Sequence, residues 1–116
     1  MITDLVRNDL SRFANKGSVA VEELCKIYTF EQVHQMISTV SGNVEKNVTF
    51  EAIINATFPM GSMTGAPKIR AMELIEELEQ TKRGLYSGSV GYTSPKGDFD
   101  FNVVIRSLQY NKAEKY

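Results

Sequence analysis

Apolar positions recur along this chain with two different periods. Over residues 1–12, Ile2, Leu5, Val6 and Leu10 are separated by Asp4, Arg7, Asn8 and Asp9, a spacing that predicts a short amphipathic helix. No convincing N-cap precedes it, so the natural chain is expected to begin earlier. Asn15-Lys16-Gly17-Ser18 reads as a turn. β-Branched and aromatic residues then gather over 19–43, predicting strands near 22–29 and 33–41, with Gly42-Asn43 as punctuation. Thr49 is placed to cap a helix whose stripe is Phe50, Ile53, Ile54 and Phe58, and Pro59 ends it. The segment Met60–Lys68 predicts a loop of small residues. Beyond it, Ala71, Leu74, Ile75 and Leu78 fall on one helical face, with Pro67 at the tolerated first-turn position and Gly84 closing the region.

Residues 85–93 and 99–110 alternate around Ser94-Pro95-Lys96-Gly97, which predicts a hairpin. In its second strand Phe99, Phe101, Val103 and Ile105 share one face, and Asp98, Asp100, Asn102, Val104 and Arg106 share the other. The order αββααββ mixes antiparallel pairs with helices, so the class is α+β. The last strand runs almost to the C-terminus, and neither end reads as a domain boundary.

Composition narrows the field. The 116 residues suit one core, and 42% apolar with 23% charged residues is ordinary globular composition. Thirteen basic against fourteen acidic residues lack the footprint of a nucleic-acid binder. The single cysteine, Cys25, excludes an internal disulfide framework and suits a reducing compartment. No apolar run approaches the ~20 residues of a membrane span. MITDLVRNDL lacks the basic and apolar regions of a secretory signal, so a cytoplasmic protein without a membrane partner is expected.

Generic motifs fail on inspection. GSMTGAPK has one residue too few between Gly61 and Gly65 for a phosphate loop, and no hydroxyl residue follows Lys68. Asp98, Asp100 and Asn102 begin like a calcium loop, but Val103 and Gln109 occupy positions that need glycine and glutamate. His34 and Cys25 are too few for zinc, so no metal site is expected within the chain. Gly61, Ser62, Thr64 and Gly65 stand just before a helix N-terminus, where free N–H groups favour an anion; an ordinary loop leading into a helix has the same composition.

Five strings occur in order: DLVRNDLSR (4–12), VHQMISTVSG (33–42), FPMGSMTGAPKIRAMELIEELE (58–79), RGLYSGSVGY (83–92) and GDFDFNVVIRS (97–107). Together they resemble the catalytic region of the chorismate-utilising enzymes, over essentially the whole chain. The resemblance implies part of the family's α/β sandwich of mixed antiparallel strands and helices, truncated at both ends, so that residues 1–116 are a partial catalytic domain. The long middle string is most similar to the members that make 4-amino-4-deoxychorismate for folate synthesis. They use Mg²⁺ and ammonia from a glutaminase partner. The alternatives are the anthranilate-forming members and a non-catalytic module that holds a carboxylate or docks a partner.

Chorismate is a dianion, so its site needs fixed donors. By resemblance, Arg106 binds one carboxylate bidentately and Tyr86 donates to the other. Ser62 lies near the leaving hydroxyl, and Gly65, beside Thr64, lets the backbone approach the substrate. Lys68 either pairs with glutamates outside this chain or sits in solvent. The main Mg²⁺ ligands are expected outside the chain as well. Where anthranilate-forming members carry a catalytic histidine, this sequence has Gln35, which donates a hydrogen bond but transfers no proton. His34, one residue earlier, would face the opposite side of a strand unless a bulge re-aimed it. The hairpin register bears on the site too. A four-residue loop, 94–97, turns Tyr86 away from Arg106, whereas a five-residue loop, 94–98, or an equivalent bulge sets them opposite, with Cβ atoms ~5 Å apart.

Overall fold

Leu5 and its apolar neighbours form the helix that their spacing predicts, and the rest of the N-terminal half is arranged around it. The computed structural model describes residues 1–113 and Lys115. Its elements are α1 (Ile2–Leu10), β1 (Ala20–Thr29), β2 (His34–Ser41), α2 (Phe50–Thr57), α3 (Gly61–Thr64), α4 (Lys68–Leu78), β3 (Ser89–Thr93) and β4 (Phe99–Val103). Strands pair as two separate antiparallel ribbons, β1 with β2 and β3 with β4. The α+β class holds. The chain divides into two units, Met1–Ile75 and Glu76–Tyr116, and the division falls within α4.

In the first unit α1 packs against α2, α3 and both strands. The segment before β1 is tied to the segment after β2 by Asn15 N–H donating to the Asn43 carbonyl at 2.8 Å and by an isolated bridge between Ala14 and Val44. Thr49 caps α2 as its sequence predicts, its hydroxyl accepting from Ala52 N–H at 3.2 Å. Thr49→Ala is expected to cost about 1 kcal/mol of stability, read from a denaturant midpoint. An unchanged midpoint would show that the cap is dispensable.

The predicted 60–68 loop contains one helical turn, α3, closed by Gly65 N–H on the Gly61 carbonyl at 3.1 Å. The next helix stops at Leu78 rather than near Gly84. Its apolar stripe has no successor, since Thr81 and Lys82 occupy the next positions on that face.

The first ribbon keeps regular pairing from Lys26↔Ile37 to Thr29↔His34, but its register shifts twice between Val21 and Lys26. Cys25 takes a left-handed backbone at φ 53° within this bulged stretch, and its N–H donates to Ser38 Oγ at 2.9 Å. Glu23 fastens the stretch. It accepts from Lys26 at 2.5 Å, from the Tyr28 hydroxyl at 2.7 Å and from the Thr39 hydroxyl at 3.0 Å. The Lys26 ammonium, followed by the two hydroxyls, pulls the Glu23 carboxyl from its ordinary 4.5 to about 2. A depressed folded-state value stabilises the ribbon above the unfolded value and loses that contribution as pH falls toward 2. Amide protection at Lys26–Tyr28, measured against the intrinsic exchange rate at each pH, is therefore expected to fall between pH 4.5 and pH 2, and a Glu23→Gln variant should not show this acid dependence. Equal pH profiles for the two would remove Glu23 as the fastening.

The second ribbon is shorter than its alternation predicts. Pairing runs from Thr93↔Phe99 to Ser89↔Val103, which is the register of the five-residue loop. That loop closes with Ser94 N–H donating to the Asp98 carbonyl at 2.7 Å, and Gly97 supplies the left-handed φ of 92°. Phe99 and Phe101 share a face as predicted, with ring centroids 6.1 Å apart. Val104 is the single buried apolar residue among those described.

Candidate functional site

The ladder of the second ribbon ends where two proposed substrate residues begin. Ser87 N–H donates to the Val104 carbonyl at 2.9 Å, and Val104 N–H donates to the Gly88 carbonyl at 3.0 Å. Two residues thus oppose one, with Ser87 left-handed at φ 66°, which is the pattern of a G1-type bulge. Tyr86 lies before this bulge in a turn, and Arg106 lies beyond β4 in a bend. The predicted strand opposition of Tyr86 and Arg106 is therefore not made, although the register it required is present. The chain leaves strand geometry because Ile105 N–H turns back onto the Val103 carbonyl at 3.1 Å.

Arg106 is exposed and makes no ion pair or side-chain hydrogen bond among the described residues, so it is not the rim partner of Asp98 or Asp100. Its backbone is left-handed at φ 51°, a conformation that costs a non-glycine residue roughly 1–2 kcal/mol. The Tyr86 ring is half exposed, and its hydroxyl has no hydrogen bond among the described residues. Nearby, Arg83 donates to Glu79 at 2.8 Å. Hydrogen bonding to Glu79 holds the Arg83 guanidinium above its ordinary value, with a smaller electrostatic contribution from Tyr86.

The other predicted residues belong to the first unit. Ser62 is exposed in α3 and lines a cavity of about 200 Å³ together with Leu5, Asp9, Met60 and Gly61. The Thr64 hydroxyl donates to its own helix, at the Met60 carbonyl, 3.3 Å away. Gly65 has φ 131° and ψ −168°, a region essentially reserved for glycine, so its identity follows from the backbone path. Gln35 is exposed in β2 opposite Tyr28, with no side-chain hydrogen bond among the described residues. His34 Nδ1 lies 3.0 Å from the Thr29 hydroxyl. Both bulges fall on β1, away from this regular stretch, so nothing re-aims His34 into the place of Gln35.

The strongest polar feature was not among the expected site residues. Lys68 Nζ donates to Asp9 Oδ2 at 2.7 Å, with 10% and 8% of the two side chains exposed. Lys68 is therefore paired within the chain rather than solvated. Asp9 Oδ1 is buried without a hydrogen bond among the described residues. The sequence carried half of this signal, because Asp9 falls on the apolar stripe of α1 beside Leu5, Val6 and Leu10, where a charge needs a partner.

Among the described residues no three His, Cys, Asp or Glu side chains gather to hold a metal ion. The free Asp9 oxygen is a poor start for one, because the Lys68 ammonium on its other oxygen opposes a second cation. Magnesium does not fit these residues by themselves. No described helix is long and apolar enough to cross a membrane.

The chain matches the chorismate binding enzyme family over residues 1–116, and it belongs to that family. It is 46% identical over 114 residues to the chloroplastic aminodeoxychorismate synthase of Arabidopsis thaliana, covering 98% of this chain and 12% of that one. It is 47% identical over 108 residues to aminodeoxychorismate synthase component 1 of Bacillus subtilis, covering 93% of this chain and 23% of that one. Among solved structures, the fold is similar to that of anthranilate synthase component I from Streptococcus pneumoniae. There the TM-score is 0.82 with 42% identity, over 91% of this chain and 24% of that one. The chain therefore spans less than a quarter of each of these proteins.

Proposed function

We propose that residues 1–116 work as part of a longer catalytic domain that aminates chorismate to 4-amino-4-deoxychorismate, an aminodeoxychorismate synthase activity serving folate synthesis. The observation that carries the proposal is the unpaired, left-handed Arg106 in a chain 46% identical to a relative bearing that name. A left-handed residue with a free guanidinium supports a ligand-binding role for it. In this reading Arg106 binds one carboxylate of the dianion in a bidentate pair, and the Tyr86 hydroxyl donates to the other. For the first unit taken by itself, this reading assigns Ser62 to the departing hydroxyl and Gly65, beside Thr64, to a close backbone approach to substrate. Gln35 contributes a hydrogen bond and no proton. The "component 1" in the name of the Bacillus relative supports a glutaminase subunit as the source of ammonia. Magnesium, if required, takes its ligands from outside residues 1–116. The exposed thiol of Cys25 suits the cytoplasm.

Anthranilate formation is the second reading, favoured by the name of the structural neighbour. The test is to incubate the full-length protein with chorismate, ammonium and magnesium and to identify the product by chromatography and mass. 4-Amino-4-deoxychorismate supports the proposal, and anthranilate moves the chain to the second reading. Chorismate binding in calorimetry without any product would leave a carboxylate-binding module.

A further inference from the structure

Helix α1 touches the small-residue loop at both ends. Leu5 and Asp9 are one turn apart and so lie on the same helix face. Where the loop begins, a Cβ on Gly61 would stand 3.1 Å from Leu5 Cδ1 and 3.2 Å from Leu5 Cβ, so the loop backbone rests on that leucine. Where it ends, Lys68 is bonded to Asp9 at 2.7 Å. Ser62, Thr64 and Gly65 lie between these two fixings. The single turn of α3 is too short to hold its own position, and the Thr64 hydroxyl is spent inside it. The placement of the loop is therefore set at its ends.

We propose that Asp9 and Lys68 are positioning residues, an ionic staple that fixes the loop on α1 and so sets where Ser62 and Gly65 stand toward the substrate. A buried ion pair is a poor device for stability alone, because apolar side chains of similar volume stabilise a core as well or better. What the pair adds is direction, through a short charge-assisted bond. The inference rests on the reading that this loop meets chorismate.

The test uses the full-length protein and the double variant Asp9→Leu/Lys68→Met, which removes both charges while keeping the bulk. Its melting temperature is expected to stay close to wild type. Its kcat/KM for chorismate is expected to fall about 10- to 100-fold, the effect of a misplaced reacting group, and amide exchange over residues 61–66 should accelerate. Wild-type kcat/KM together with wild-type exchange overturns the staple. Should the double variant not fold, Lys68→Arg decides. It keeps the charge and the fold but moves the nitrogen, so unaltered kinetics and loop exchange overturn the proposal. A wild-type protein inert toward chorismate sinks the functional reading instead, and the exchange measurement still judges the staple.

Discussion

Arg106→Ala in the full-length enzyme is expected to weaken transition-state binding of chorismate by about 2–5 kcal/mol, the cost of leaving a desolvated charge without its partner. Since 1.4 kcal/mol is a factor of ten, kcat/KM falls at least about 25-fold. Two features make this residue a sharp test. Its guanidinium has no partner among the described residues, so the substitution removes no ion pair or side-chain hydrogen bond among them. Its backbone sits at φ 51°, where glycine is relaxed and alanine is strained. Arg106→Gly should therefore be more stable than Arg106→Ala by up to about 1 kcal/mol while losing the same activity. Activity retained in either variant would place Arg106 outside the substrate site.

Gly91→Ala is expected to break the β3–β4 ribbon. Gly91 pairs directly with Phe101. A Cβ there would lie 2.0 Å from the Asp100 carbonyl oxygen and 2.6 Å from two ring atoms of Phe101. The nearest of these atoms is backbone, so a rotamer change cannot relieve the clash, and the strands must separate. A cost of about 3 kcal/mol or more is expected, at the upper end for overpacking. The readout is amide exchange along Ser89–Thr93 and Phe99–Val103. Protection equal to wild type would mean that the strands approach less closely than described. Because Ser87, Gly88 and Val104 continue this ladder toward Tyr86 and Arg106, loss of the ribbon should also lower activity.

How far the sequence is legible depends on how local each cause is. The Thr49 cap, the α1 stripe and the turns at Gly17 and Gly97 are written within a few residues, and the structure shows each where the pattern puts it. The end of β4 is different. Alternation continues through Ile105, but a strand lasts only as long as its partner, and the partner turns away at Ser87-Gly88. The bulges of β1 were equally hidden, because they answer to Glu23 and Ser38 reaching across the ribbon. For the site, the hydroxyl loop and Arg106 were readable as residue types with a chemistry. The Asp9–Lys68 pair joins positions 59 residues apart, and periodicity shows only that Asp9 needs a cation, not which one.

Among the described residues both ribbons have just two strands, so every strand keeps one unpaired margin. Leu24, Ile27, Met36, Val90 and Tyr92 are each more than half exposed along them. Peptide groups and apolar side chains displayed in this way recruit further copies of the same segment. A preparation of these 116 residues by themselves will tend to precipitate as its concentration rises, and work on the isolated polypeptide calls for a solubilising fusion and dilute handling.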